Sequence, residues 1–169
     1  MKTTEIKITV YEFANLNELP ENDRNLLLEA RRITAFAYAP YSGFHVGAAV
    51  LLGNGKVVTG NNQENSAFPS SLCAERVALF YANANYPDSE VKTIAISAAK
   101  NGILVNEPIK PCGGCRQTLA EVEVRFDTPI RIILDGQDSI LVLNGVESLL
   151  PLSFSKKDLA SPIPSKGGE

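Results

Sequence analysis

The sequence predicts an α/β fold, in which a mixed sheet carries helices packed on its faces. Segments with helical periodicity alternate along the chain with β-branched runs, an order typical of that layered arrangement. Two apolar runs, 46–52 and 57–60, flank Gly53-Asn54-Gly55, which is a strong hairpin signal. Only Asp135-Gly136-Gln137-Asp138 separates two later alternating runs. Because a parallel crossover needs a dozen or more residues, these last two strands are expected to be antiparallel neighbours.

The other elements are predicted from periodicity and from boundary residues. In the first helix, Leu26, Ala30, Ile33 and Ala37 fall on one face, and the Ala39-Pro40 step ends it. The later elements follow in order: a helix from about Leu72 to Asn83 with Ser70 or Ser71 as N-cap, a strand over Val91 to Ala98, a helix opened by Pro111 to Cys115 and running to about Arg125, and strands containing Ile130 to Leu134 and Ile140 to Val142.

The chain divides into an extension, one domain and a tail. Residues 1–20 are expected to be an N-terminal extension, in which Lys7 to Val10 alternates weakly like a strand and Pro20 breaks the chain. Residues 21–155 are expected to form a single domain with a sizeable core. Residues 156–169 are expected to be a C-terminal tail that is partly mobile, because residues 161–169 are rich in Pro, Gly and Ser.

Composition points to an intracellular protein with a small substrate. The 169 residues carry a formal net charge of −3. The longest cationic runs are the pairs Arg31-Arg32 and Lys156-Lys157, which argues against nucleic-acid binding. No apolar run reaches the length of a membrane span, and no signal peptide is visible. We therefore expect a cytoplasmic protein with neither a membrane nor a nucleic acid as partner.

Three cysteines form the most informative pattern in the chain. Cys73 precedes Ala74-Glu75-Arg76, and Cys112 and Cys115 lie three residues apart in Pro111-Cys112-Gly113-Gly114-Cys115. Both motifs stand at predicted helix starts, where free N–H groups and the helix dipole favour thiolates. Structural zinc usually has four protein ligands, whereas catalytic zinc has three and leaves one position open. The only histidine, His45, is assigned to structure or to the pocket rim, so the count predicts an open zinc site.

Glu75 lies two residues after a predicted ligand. A carboxylate there is close to the metal without binding it, and can take a proton from water and pass it to a substrate nitrogen. Three cysteines with a neighbouring glutamate match the general template of zinc-dependent deaminases. Three thiolates with Zn²⁺ leave a net charge of −1, which a cation hydrogen-bonded to the sulfurs would offset. Arg76 is the natural candidate for that role, and Arg116 is the alternative.

Simpler interpretations exist for each residue alone. A lone cysteine is usually a core residue, and a CxxC pair can equally be a redox dithiol. The conjunction of Cys-x-Glu with Pro-Cys-x-x-Cys argues against both of these interpretations. A non-enzymatic zinc or redox protein would also have no use for Glu75 beside the ligand.

The motifs resemble those of the cytidine deaminase family, in its small, homotetrameric, three-cysteine class. The similarity covers roughly residues 24–160. The matching stretches, in chain order, are Ala39 to Ala49, Gly60 to Asn65, Phe68-Pro69 with Leu72 to Arg76, Pro111 to Gln117, and Leu149-Leu150-Pro151 with Phe154. Residues 1–20 extend beyond the shorter members of the family, and Gln63 stands where an aliphatic residue is frequent.

The resemblance implies a three-layer fold, an activity and further site residues. It implies a mixed five-stranded sheet with helices on both faces and the last two strands antiparallel. It also implies zinc-dependent hydrolysis of cytidine and deoxycytidine to uridine and deoxyuridine, in pyrimidine salvage. The implied substrate-binding residues are Phe44 near the pyrimidine, Asn62 and Glu64 at the ribose hydroxyls, the backbone of Ala74 at the base edge, and Phe154 reaching a neighbouring subunit's pocket.

Two other kinds of deaminase belong among the alternatives. A deaminase of a cytosine-containing nucleoside antibiotic also uses three cysteines, but Asn62 and Glu64 favour an ordinary nucleoside. Deaminases of tRNA or single-stranded DNA typically have His in the position of Cys73, and they need a cationic surface.

Overall fold

The computed structural model describes residues 1–159 and has three layers. The helices are α1 (Glu21–Ile33), α2 (Ala74–Asn85), α3 (Gly113–Phe126) and the short α4 (Lys156–Leu159). The strands are β1 (Tyr11–Phe13), β2 (Phe44–Leu52), β3 (Val57–Asn61), β4 (Val91–Lys100), β5 (Ile103–Leu104), β6 (Arg131–Asp135) and β7 (Ile140–Asn144). Among residues 1–159, no helix is both long and apolar enough to cross a bilayer.

The sheet is mixed, with strand order β1-β7-β6-β4-β2-β3, and β5 pairs with the end of β4. The β2–β3 hairpin is antiparallel, and β6 and β7 are also antiparallel neighbours, as their short connection predicts. β4 and β6 run parallel, and α3 lies in the connection between them. The predicted mixed sheet with helices on both faces is therefore confirmed, and within residues 1–159 the short strands β1 and β5 extend its five main strands to seven.

The two additional strands form at the margins of the sheet. The strand predicted at Lys7 to Val10 lies instead at Tyr11–Phe13, because these residues pair with β7. In that register Tyr11 lies opposite Val142, and β7 ends at Asn144, so residues before Thr9 have no facing residue in that strand. Phe13 packs on the core beneath α1. The second additional strand, β5, folds back on β4 after a turn in which Gly102 has positive φ.

Helix boundaries differ from the sequence prediction by a few residues. The first helix is α-helical only to Ile33 and continues as a 3₁₀ turn to Phe36. The second begins at Ala74, with Cys73 rather than Ser70 or Ser71 at the N-cap. Leu72 exchanges two backbone hydrogen bonds with Gln63, which holds it in an extended conformation. The Ser71 hydroxyl accepts from Asn65 instead of capping the helix.

Two apolar clusters hold the layers together. On one face, Leu79 of α2 and Leu119 of α3 pack on Ile96 and Ile132 of the sheet, all almost fully buried. On the other face, α1 packs against the sheet, as the three-layer prediction requires. Gly60 allows the backbone of α2 to lie close to β3, because a Cβ at this position would be 2.5 Å from the backbone N of Ala78. The close strand–helix contact fixes where α2 begins.

The predicted C-terminal tail can be compared with the structure only as far as Leu159. Residues 156–159 form α4, and its side chains are exposed. Residues 160–169, on which most of the expected mobility falls, lie outside the described residues.

Candidate metal centre and adjoining cavity

The starts of α2 and α3 lie side by side and bring the three cysteines together. Cys73 is the N-cap of α2, Cys112 is the N-cap of α3, and Cys115 lies in the first turn of α3. Neither cap donates or accepts a side-chain capping bond, so both thiol groups are free to point outward. The dipoles and free N–H groups of two helices therefore converge on one cluster of sulfur atoms.

The distances between sulfur atoms fit a tetrahedral zinc ion. Cys112 Sγ lies 3.8 Å from Cys73 Sγ and 3.5 Å from Cys115 Sγ, and all three atoms are within 4.8 Å of one another. Ligands about 2.3 Å from a tetrahedral zinc are about 3.8 Å apart. Within residues 1–159 this is the one group of three or more potential ligands that could hold a metal ion. Three sulfur ligands leave the fourth position open.

Neighbouring groups favour negative charge on Cys73. A hydrogen bond from Cys115 lowers the pKa of Cys73 to about 5, and Arg76 adds to the effect against the opposing influence of burial. The same bond to Cys73, together with burial, raises the pKa of Cys115. Arg76 Nη2 lies 3.9 Å from Cys73 Sγ and 3.4 Å from the carbonyl oxygen of Ser71. Its Nε is buried and has no hydrogen-bond partner among the described residues.

Glu75 is buried beside the sulfur cluster. Only 4% of the residue is exposed, and burial raises the pKa of its carboxyl group. A hydrogen bond from its own backbone N–H opposes this rise in pKa, whereas the negative charge of Cys73 adds to the rise. A carboxyl group whose pKa is moved towards neutrality can both take and return protons under physiological conditions.

A cavity of about 620 Å³ opens onto Glu75, Cys73 and Cys112. Phe44, Asn62 and Glu64 line it as well, so the folded chain brings together six of the residues that the sequence singled out, with Arg76 beside them. Cys115 and Ala74 are fully buried behind its wall. A volume of this order suits a small organic ligand.

Two predicted residues lie away from this cavity. Phe154 is 60% exposed and lines a different cavity, between α3 and the C-terminal loop. Gln117 Nε2 donates to its carbonyl oxygen. Arg116 contacts backbone oxygens, donating from Nε to Pro111 and from Nη1 to Leu149, both at 2.8 Å. Of the two candidate cations, it is therefore Arg76 whose guanidinium contacts a sulfur.

The family model for the "Cytidine and deoxycytidylate deaminase zinc-binding region" matches residues 20–126. The chain belongs to this deaminase family. A cytidine deaminase from Halalkalibacterium halodurans is 37% identical to it over 138 residues, which are 81% of this chain and 98% of the relative. One from Sporosarcina psychrophila is 38% identical over 135 residues, covering 80% of this chain and 93% of the relative.

Solved structures agree with the sequence comparison. The crystal structure of cytidine deaminase from Burkholderia pseudomallei superposes with a TM-score of 0.67 at 36% identity. The match covers 80% of this chain and all of that chain. The deaminase-family fold and a zinc cofactor are therefore established for this chain, and its three neighbouring cysteines are suited to hold the metal.

Sequence reasoning overlooked several residues that line the cavity of this deaminase-family member. Ser42 and Phe68 lie within motifs quoted above, but no role was assigned to them. Lys110 directly precedes the second metal motif and also lines the cavity, with its ammonium 3.8 Å from Glu107. Ser42 had a readable signal, since a serine just before glycine is typical of turns in which the hydroxyl bonds to nearby backbone. Lys110 had none, because an isolated lysine is usually solvated.

Proposed function

We propose that this chain is a zinc-dependent deaminase that hydrolyses cytidine and deoxycytidine to uridine and deoxyuridine. The observation that carries the proposal is the position of Glu75, buried on the wall of the same cavity that exposes two of three clustered cysteines. Cys73, Cys112 and Cys115 are proposed as the zinc ligands. The domain proposed to carry the activity is 21–155, which includes most of the family match.

Zinc, when bound, supplies the Lewis acidity that lets a water molecule ionise near neutral pH. The reaction converts cytidine and water into uridine and ammonia. Glu75 is proposed to accept the proton of the attacking water and deliver it to N3 of the pyrimidine as C4 is attacked. It would then take the remaining proton from the new C4 hydroxyl and deliver it to the exocyclic nitrogen, so that the C4–N bond breaks, ammonia leaves and the C4 carbonyl of uridine forms. A single carboxylate can serve both transfers, because in each one it accepts a proton and then gives that proton up to a nitrogen.

Other residues are proposed to bind and orient the nucleoside. Phe44 lines the cavity and offers an aromatic face to the pyrimidine. The backbone of Ala74 is proposed to contact the base edge. Asn62 Oδ1 accepts from Val46 N and its Nδ2 donates to the carbonyl oxygen of Phe44, leaving one amide hydrogen for a sugar hydroxyl. Glu64 is proposed to accept from the other hydroxyl.

Arg76 and Arg116 are proposed to support the metal centre in different ways. Arg76 balances the negative charge of the thiolates through its contact with Cys73. Arg116 braces the metal motif against the C-terminal segment by bridging the carbonyl oxygens of Pro111 and Leu149.

The assembly is proposed to be a homotetramer in the cytoplasm, acting in pyrimidine salvage without a nucleic-acid partner. Phe154 is exposed and lies outside its own chain's cavity, which fits a role in a neighbouring subunit. Three free thiols in one cluster suit a reducing compartment.

The experiment that tests this function combines metal analysis with a substrate panel. Purified protein is expected to contain about one zinc per chain. Absorbance assays with cytidine, deoxycytidine, adenosine, cytosine and CMP should show turnover of the first two. CMP should be poor because the negative charge of Glu64 would repel a nearby phosphate. CMP turnover comparable with that of cytidine would contradict the assigned pocket, and active protein with less than half an equivalent of zinc would contradict the metal site.

A further inference from the structure

The Glu64 carboxylate is held by a turn of the chain that lies 20 or so residues earlier in sequence. Ser42 Oγ donates to Glu64 Oε1 at 2.5 Å. The backbone N–H groups of Tyr41 and Ser42 donate to Oε2 at 2.8 and 3.3 Å. Three donors therefore converge on a carboxylate that lines the cavity.

The Ser42 hydroxyl also connects Glu64 to Phe44. Its oxygen accepts from the backbone N–H of Phe44 at 3.0 Å, and its only proton goes to Glu64. Gly43, with φ of 62°, turns the chain between Ser42 and Phe44 so that this contact can form. One hydroxyl thus links two residues that line the cavity, one aromatic and one charged.

The three donors keep Glu64 ionised. The hydrogen bond from Ser42 is the largest influence that lowers the pKa of Glu64, followed by the N–H of Tyr41. An ionised carboxylate only accepts hydrogen bonds and has about four lone-pair sites. Since the turn occupies three of them, about one site remains, on the oxygen that Ser42 holds.

We infer that Ser42 is a positioning residue that sets recognition of the sugar hydroxyls, by aiming the one free acceptor site of Glu64 into the cavity and tying it to Phe44. The inference rests on the proposed function. Ser42 itself has no proton left for a ligand, so it acts through Glu64. Removing its hydroxyl would let the carboxylate rotate. The apparent affinity for a nucleoside with sugar hydroxyls would then fall more than the affinity for a nucleoside without them.

The test compares two substrates in matched variants. The kcat and KM of wild type, Ser42→Ala and Ser42→Thr are measured with cytidine and with 2′,3′-dideoxycytidine. Ser42→Ala should raise KM for cytidine roughly tenfold, the order expected for a hydrogen bond to a charged group, and leave kcat less affected. The KM for the dideoxynucleoside should barely change. Ser42→Thr keeps the hydroxyl and should retain the wild-type ratio of the two kcat/KM values.

A double-mutant comparison and two controls separate positioning from simple support of the turn. In a Glu64→Gln background, Ser42→Ala should have little further effect on cytidine. Ser66→Ala removes an exposed hydroxyl from the loop after Glu64 and should behave as wild type. Thermal melting and zinc content report whether each variant is folded. If Ser42→Ala does not fold, Ser42→Cys provides a side chain of similar size with a weak donor.

The outcomes distinguish this inference from the function on which it rests. If the wild type is active and neither Ser42→Ala nor Ser42→Cys changes the ratio of the kcat/KM values for the two nucleosides, the positioning role is wrong and the proposed function stands. Equal losses with both nucleosides lead to the same conclusion, because they indicate a general defect of the turn. Wild-type protein that turns over neither nucleoside overturns the proposed function as well.

Discussion

Glu75 combines burial with a position beside negatively charged sulfur. Both influences raise its pKa, and both would be unfavourable for a residue that served only to stabilise the fold. At the residue scale, these features fit the proton transfer proposed for Glu75, whereas a structural role would favour an amide or an apolar side chain. Arg76 offsets part of the local negative charge through Cys73.

Replacing Glu75 with Gln should abolish turnover while keeping the metal. The amide preserves size and some hydrogen bonding but cannot accept the proton, so kcat should fall by about 10²–10⁴-fold or more. Zinc content and nucleoside binding should be retained because Glu75 is not a proposed ligand. Steady-state rate and zinc are measured on one preparation, with Glu21→Gln as an exposed control. A rate loss below about tenfold would contradict the general acid/base role, and loss of zinc would indicate that Glu75 binds the metal.

At the element scale, the metal centre depends on how α2 and α3 are held at their first turns. Gly60 of β3 determines the approach of α2, because its missing Cβ leaves room for the helix backbone. At the other end of α3, Glu123 Oε1 accepts from the N–H groups of Ile130 and Val146 at 2.7 and 2.9 Å. That carboxylate therefore ties α3 to the start of β6 and to the segment after β7.

Gly60→Ala should displace the start of α2 and weaken the metal site. The new methyl group would lie 2.5 Å from Ala78 N and 2.6 Å from Ala74 O, and backbone atoms cannot yield without a shift of the helix. Overpacking of this kind typically costs about 1–3 kcal/mol in the free energy of unfolding. Denaturant unfolding and zinc titration measure the two effects, with Val57→Ala on the same strand as an exposed control. Unchanged zinc affinity would show that the start of α2 does not depend on this contact.

Glu123→Gln should change the pH dependence of stability. Burial, its largest influence, raises the pKa of Glu123, although the N–H groups of Ile130 and Val146 oppose the shift. Below the ordinary pKa of 4.5, the neutral carboxyl makes its full contribution to the free energy of unfolding. That contribution is lost as pH rises towards the raised pKa of Glu123 in the folded protein. The amide keeps an acceptor oxygen and does not ionise.

The measurement is the difference in Tm between Glu123→Gln and wild type, followed from about pH 4.5, the ordinary carboxyl value, to neutrality. This difference should become more favourable to the variant as pH rises, since only the wild type must bury a charge. Glu121→Gln, exposed on the same helix, should give no such trend. A difference that is constant or moves in the opposite direction would mean that the folded-state pKa is not raised.

At the scale of the whole molecule, the cavity beside the cysteines and the C-terminal loop around Phe154 are separate within residues 1–159. The cavity lies at the starts of α2 and α3, while Phe154 lines a separate cavity beside α3 and exposes most of its surface. An exposed aromatic residue that projects from a loop suits a contact with another copy of the chain. The proposed tetramer would therefore place Phe154 of one copy at the cavity of the next.

Mixing two inactive variants tests that arrangement. Glu75→Gln keeps Phe154 but lacks the proposed acid/base residue, whereas Phe154→Ala keeps Glu75 but lacks the aromatic ring. Subunits of the two variants, dissociated and reassembled together, should form some complete sites and exceed the summed activity of the separate variants. Light scattering checks that each sample is tetrameric. Activity equal to that sum, or a fully active monomer, would contradict a role for Phe154 in a neighbouring subunit.

The sequence predicted most of the fold because its signals are local. Periodicity located α1, and boundary residues located α2 and α3, to within a few residues, and the short connection after β6 correctly implied antiparallel pairing with β7. It could not predict β1, since whether Tyr11–Phe13 becomes a strand depends on the free edge of β7 rather than on its own pattern. The N-cap at Cys73 was missed for the same reason, because a bridge to Gln63 keeps Leu72 extended.

The sequence by itself determined which chemistry is available. Cys112 and Cys115, two of the proposed ligands, lie on one helix turn, and Glu75 is fixed two residues from Cys73, since spacings this short survive any packing of the elements. Only the tertiary structure decided that Cys73 and Cys112, 39 residues apart, lie with their sulfurs 3.8 Å from one another. It also decided that Glu75 is buried and that Ser42 holds Glu64. Contacts between distant segments arise from the packing of helices on the sheet, which no local pattern records.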